Sequence, residues 1–274
     1  MSTLATLPAQ TTMGRVALTV ADRHGLRSFY ERVIGIDEER GLIELHESAS
    51  APSPDPHATG LFHLAILVPS RRDLAVALVR IARAGWHLSG ASDHLVSEAI
   101  YLRDPEGNGI EIYRDRPREE WPRLGDGVRM DTLPLDLDDV LRELEGGVEP
   151  EPGPMPSGTR VGHIHLKVSD LAAAEAFYVG VLGFETMARV PGACFVAAGG
   201  YHHHVGFNVW SSRGGPAPAP GSRGLESYEV VLPDADALDA ARDRVEAAGA
   251  TLQASDSGFA AADPSGNRLL LTFA

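Results

Sequence analysis

One pattern of residues occurs four times in this chain, and that recurrence limits the fold more than any other feature. Its clearest copy is residues 161–178, VGHIHLKVSDLAAAEAFY. An alternating strand places His163, His165 and Lys167 on one face and Ile164, Leu166 and Val168 on the other. Ser169-Asp170 then opens a helix that ends near Gly183. Copy one begins at Gly14 and repeats the interval, with Phe29-Tyr30 in place of Phe177-Tyr178 and Gly35 in place of Gly183. Copy two runs from Gly60 to Asp115 and copy four from Leu225 to the end. Both carry a strand, an amphipathic helix and a hairpin around a turn, Asp104-Pro105 or Asp263-Pro264. Copy one stops short, with only GLIELHES before a Pro-rich turn.

Copies one and three resemble each other, as do two and four, which points to a duplicated two-copy domain. The expected class is α+β, with four βαβββ-type modules, the first truncated, paired into two domains with cupped mixed sheets. Residues 13–115 form the expected N-terminal domain, 116–160 a Pro-rich linker, and 161–274 the C-terminal domain. Residues 1–12 are expected to fray. A single βαβββ unit cannot bury its own concave face, so pairing closes a cup in which a ligand can sit.

The net charge of −14 argues against a nucleic-acid partner. No apolar run is long enough to span a bilayer, and no basic segment precedes an apolar one near the N-terminus, so neither a membrane partner nor an export signal is expected. The single cysteine, Cys194, cannot form an internal disulfide and fits a reducing, cytoplasmic compartment. Walker, dinucleotide-binding and GxSxG patterns are absent.

The segments GHIHLKVSDL, VLGFE and LRDPEGNGIEIYRD resemble the vicinal oxygen chelate superfamily of glyoxalases, bleomycin-resistance proteins and extradiol dioxygenases. The segments DHLVSEAIYLRDPEGNGIEIYRDRP and YHHH…NVW resemble its two-domain, catechol-2,3-dioxygenase-like branch. The resemblance implies a divalent metal, Fe(II) first, with Mn or Zn or no metal as alternatives. The first and last strands of paired modules would hold it, commonly through two histidines and a glutamate. Such a set leaves positions open for a bidentate substrate and O2.

Carried over position by position, the first-strand site is Arg15, His63, His163 and Ser227 in copies one to four. The last-strand site is Glu111 in copy two and Leu270 in copy four. The candidate ligands are His63 and Glu111, with His94 or Glu44 as a third, in the N-terminal half. In the C-terminal half they are His163 with His204, His202 or Asn208. Alternation puts His202, His204, Gly206 and Asn208 on one face and His203 on the other. His202, Asn208, Tyr113 and Tyr201 are candidate substrate contacts, and His94 is the candidate catalytic acid–base. The competing reading of His63 is a packed core histidine, and that of Glu111 is a solvent-facing edge residue.

The leading functional expectation is a ring-cleaving, extradiol-type dioxygenase acting on a small aromatic diol. One alternative is a metal-free protein that sequesters an aromatic molecule, favoured by Ser227, Leu270 and the short first copy. Another is a non-oxidative isomerase or lyase of the same superfamily. A homodimer formed through exposed sheet edges is also expected.

Overall fold

The computed structural model describes residues 6–145, 153–255 and 257–274. Module one comprises β1 (Thr12–Val20), α1 (Arg23–Phe29) and β2 (Ile43–Glu47). Module two comprises β3 (Gly60–Leu67), α2 (Arg71–Arg83), β4 (Gly90–Asp93), β5 (Ser97–Arg103) and β6 (Gly109–Asp115). The connecting segment adds β7 (Arg123–Leu124), β8 (Gly127–Val128), β9 (Leu133–Pro134) and α3 (Leu137–Leu141). Module three comprises β10 (Arg160–Lys167), α4 (Leu171–Glu175), β11 (Glu185–Val190), β12 (Ala193–Ala197) and β13 (Val205–Asn208). Module four comprises β14 (Gly224–Leu232), α5 (Ala235–Ala247), β15 (Gln253–Ser255), β16 (Gly258–Ala262) and β17 (Arg268–Phe273). The fold is α+β, as expected, and module one has only two strands.

Each strand-to-helix junction is set by a cap. The side chains of Asp22, Ser70, Asp136, Asp170 and Asp234 accept from the backbone N–H three residues on. Helices α1 and α4 then widen into π turns, Tyr30–Ile34 and Ala176–Val181. Within these turns Tyr30 donates to Asp104 at 3.2 Å and Tyr178 donates to Asp263 at 3.0 Å. Each aspartate also holds its own hairpin turn, Asp104 by accepting from Asn108 N and Nδ2. The tyrosines therefore tie module one to module two and module three to module four. Replacing Tyr178 with Phe takes one donor from the buried Asp263 carboxylate, which keeps those of its own turn, and strands the Tyr228 hydroxyl, which lies 2.8 Å from that of Tyr178. The expected loss is about 1–3 kcal/mol in denaturant unfolding. A change below roughly 0.5 kcal/mol would mean that the contact contributes nothing.

The sheets connect the modules differently. One has the order β15-β16-β17-β14-β1-β2 and joins modules four and one. The other has the order β11-β12-β13-β10-β3-β6-β5-β4-β9 and joins modules three and two. The expectation that residues 13–115 and 161–274 each close their own cup is therefore corrected. Alternation fixes which face a strand buries, but it does not fix which neighbour its edge meets. Here β1 pairs antiparallel with β14, and β3 with β10. One continuous core, including Leu18, Leu64, Ile164 and Leu269, lies beneath both sheets.

The segment after Asp115 is more than a tether. Strand β9 extends the larger sheet beside β4, and Trp121 and Val128 pack with Met187 and Tyr201. Residues 6–11 do not fray, because Leu7 N donates to Gly183 O at 2.8 Å and Leu7 and Thr11 are buried. Among the described residues no helix is long and apolar enough to cross a membrane.

Candidate metal centre and its pocket

The larger sheet carries two kinds of residue on its two faces. Leu64, Ile66, Ile110, Ile112, Ile164 and Leu166 point into the main core. His63, Ala65, Glu111, His163 and His165 take the other face. Strands β3 and β6 are parallel with Ala65 opposite Glu111, while β10 places His163 opposite Ala65 and His165 opposite His63. A bulge at Gly162 sets that register. Only glycine fits there, since a Cβ would lie 1.9 Å from the Tyr113 hydroxyl.

Three side chains from two modules converge as a result. Glu111 Oε2 lies 2.9 Å from His63 Nε2 and 3.1 Å from His163 Nε2. One ligand atom from each residue falls within 4.8 Å of the others, and all three residues are buried. His163 Nε2 donates to the carboxylate. His63 Nε2 is close but makes no hydrogen bond, so it is a buried nitrogen without a partner. Burial lowers the His163 pKa to about 4, leaving a neutral imidazole. Burial opposes ionisation of Glu111, but the flanking imidazoles outweigh it and hold the carboxyl well below its ordinary range. A neutral imidazole at His163 and an ionised carboxylate at Glu111 are protonation states that a divalent cation requires. The orphaned His63 nitrogen, 2.9 Å from the shared oxygen yet unpaired, fits such an ion.

A fourth ligand is missing for a local reason. In module three, Gly206 pairs with His165 as Glu111 pairs with Ala65 in module two. Gly206 brings no side chain, so the ligand set has three members and one open side.

That side faces a pocket of about 660 Å³. Phe62, Phe195 and Trp210 form an aromatic wall, and Phe62 and Trp210 meet edge to face at 5.3 Å. His165 is fixed in this wall by Asn208 Nδ2, which donates to its Nε2 at 3.0 Å. His94 and Tyr101 line the opposite side. His94 Nδ1 lies 2.7 Å from the Asp131 carbonyl, which can only accept, so the proton sits on Nδ1. Its Nε2 then accepts from the Tyr101 hydroxyl at 2.7 Å. Tyr101 stands directly across the hairpin from Glu111, and burial, with the charge of Glu111, pushes its pKa well above the ordinary value.

The structure thus brings His63, Glu111 and His163 together and places His94 in the same pocket. It does not do so for the other candidates. His204 Nδ1 accepts from Ala198 N, and its ring packs on Tyr201, outside the cluster. His202 is bonded to Asp115 at 2.8 Å, and Tyr201 donates to the same carboxylate while touching the Tyr113 hydroxyl at 2.8 Å. Asn208, His202, Tyr113 and Tyr201 therefore brace the wall from behind and do not line the pocket. His203 lines it instead, with its ring 4.0 Å from that of His163. Alternation failed here because β13 starts only at Val205 and the chain turns through Gly199 and Gly200, both with positive φ. Glu44 lies in the smaller sheet, paired with Arg15, as do Ser227 and Leu270. Tyr101 escaped the sequence reading, although counting back from the Asp104–Asn108 turn places it opposite Glu111.

Comparison with known proteins agrees with this architecture. A family model described as the Glyoxalase/Bleomycin resistance protein/Dioxygenase superfamily matches residues 12–112 and 160–271. A protein named catechol-2,3-dioxygenase from Bacillus subtilis (strain 168) is 42% identical over 272 residues, covering 93% of this chain and 94% of its own length. Among solved structures, a putative dioxygenase from Bacillus subtilis subsp. subtilis str. 168 superposes with a TM-score of 0.66 at 11% identity, covering 98% of this chain and 86% of that one. Glyoxalase I from Zea mays superposes with a TM-score of 0.55 at 14% identity, covering 96% and 92%. The two structural likenesses speak to the fold alone.

Proposed function

The chain belongs to the glyoxalase, bleomycin resistance protein and dioxygenase superfamily, and on that premise we propose that it is an extradiol-type, ring-cleaving dioxygenase for a small aromatic diol. The observation that carries the reading is the buried trio His63, Glu111 and His163, two of whose members, His63 and Glu111, line an aromatic-walled pocket. The relative named catechol-2,3-dioxygenase supports the substrate class. A redox-active divalent ion, Fe(II) by preference, would supply Lewis acidity toward both diol oxygens and a path for electrons to dioxygen. His63 Nε2, His163 Nε2 and Glu111 would hold it.

The protein's own groups do the rest. Phe62 and Trp210 offer flat apolar surface to an aromatic ring. The Tyr101 hydroxyl and His94 Nε2 form a proton-accepting chain beside the ligand cluster, oriented by the Asp131 carbonyl. The departures that favoured a metal-free binder, Ser227, Leu270 and the short module one, all fall in the smaller sheet, away from this pocket. Metal binding at the trio, a cytoplasmic setting and a homodimer belong to the same reading.

The test is oxygen uptake with catechol after anaerobic loading with Fe(II) or Mn(II). Stoichiometric uptake with formation of an open-chain product is expected, and none with either metal would contradict the reading. His94→Gln and Tyr101→Phe should each lower kcat by about 10²–10⁴-fold at unchanged metal content. Because the two act in one chain, the double variant should lose little more than the worse single variant. Additive losses would show that they act separately.

A further inference from the structure

We infer that the pocket selects aromatic diols bearing an anionic substituent, and that Arg103 is the residue that selects them. The inference rests on the reading of the pocket as a diol site and names the substrate class for it. Arg103 closes β5 two residues beyond Tyr101, so both side chains project on the same face of the strand. Tyr101 stands across from Glu111 at the metal end, and Arg103 stands across from Gly109 toward the turn. Moving from Tyr101 to Arg103 therefore runs from the ligand trio outward to the exposed rim. Arg103 is the only lysine or arginine among the described residues lining the pocket.

Its pairing is unusual for this protein. The chain has 38 acidic residues against 24 basic ones, and guanidinium groups elsewhere, such as Arg15, Arg23, Arg71 and Arg116, are matched to carboxylates. Among the described residues no carboxylate lies within ion-pair distance of Arg103. Its Nη1 donates to Gly107 O at 2.8 Å, which fixes the side chain and leaves its remaining donors free. The other rim charge, Asp131, is taken up by Arg129 at 3.6 Å and by Thr132 N at 2.9 Å. A diol held at the trio, with its ring against Phe62 and Trp210, would carry a ring substituent toward this guanidinium. A carboxylate there would complete a charge-assisted, forked hydrogen bond.

The experiment is anaerobic calorimetric titration of the metal-loaded protein with matched pairs: 3,4-dihydroxybenzoate against 4-methylcatechol, and 3-(3,4-dihydroxyphenyl)propanoate against 4-propylcatechol. The wild type should bind the acid of at least one pair about 10–100-fold more tightly than its neutral partner. Arg103→Gln should bring that ratio near one, and Arg103→Lys should keep part of it. Arg103→Glu should reverse the preference toward 4-(2-aminoethyl)catechol, which gives an independent reading should the glutamine variant fail to fold. Equal binding within both pairs by the wild type, or a ratio unchanged in Arg103→Gln, would overturn the inference. The titration reads binding and not turnover. Loss of oxygen uptake would therefore strike the dioxygenase reading alone, and absence of the acid preference in a wild type that still turns over catechol would strike only the role of Arg103.

Discussion

Glu111→Gln is expected to leave the fold intact while removing most of the bound metal and at least about 10³-fold of the oxygen-dependent activity. Glutamine has nearly the shape of glutamate, and the residue is already buried, so the core need not rearrange. What changes is the charge. In the native site one carboxylate oxygen is shared by His63 Nε2 at 2.9 Å and His163 Nε2 at 3.1 Å. A neutral amide cannot balance a divalent cation in a ligand cluster that, among the described residues, holds no other carboxylate. Its NH2 group would also donate to the imidazole nitrogens and use the lone pairs that ligation needs. Metal content by atomic emission, with the melting transition followed by circular dichroism, separates the two effects. Full metal occupancy in Glu111→Gln would mean that the carboxylate is not a ligand.

Glu98→Ala should cost stability and not metal. Glu98 is buried on β5 and is surrounded by three guanidinium groups. Arg71 Nε approaches it at 2.8 Å, Arg114 Nη2 at 2.6 Å and Arg116 Nη2 at 3.1 Å. Arg71 also reaches Asp139 on α3 at 2.6 Å, and Arg116 reaches Asp93 on β4 at 2.8 Å. The carboxylate thus joins α2, the connecting segment and the edge of the larger sheet. Its removal leaves three partly buried cations facing one another. Breaking a buried ion pair from one side typically costs about 3–5 kcal/mol. For a chain of this size that is a fall in Tm of roughly 6–20 °C. Glu98→Gln should fall in the same direction, because the charge and not the volume holds the arginines. An unchanged Tm in both variants would show that solvent screens the cluster.

The modules were legible because their signals are local. Alternation over residues 163–168, the caps at Asp22, Ser70, Asp170 and Asp234, and the Asp104 and Asp263 turns each act within a few residues. The positions of His63, Glu111 and His163 could be read because they recur at matching places in the copies. Their meeting could not, because it depends on β3 joining β10 across the halves of the sequence. The assignment of His202 and His204 to the pocket failed for a different reason. The residues before Val205 are not extended, so a period of two has no meaning there. Tyr101 was within reach of the sequence through hairpin register, a non-local pairing fixed by a local turn. The role of Arg103 depends on which charges surround it, and only the folded chain supplies that.

Anomalous diffraction at the iron edge from crystals loaded anaerobically with Fe(II) bears most directly on the site. One strong peak is expected at about 2.0–2.3 Å from His63 Nε2, His163 Nε2 and a Glu111 oxygen. A peak held instead by His202, His203 or His204, or none at the trio in crystals that contain iron, would contradict it.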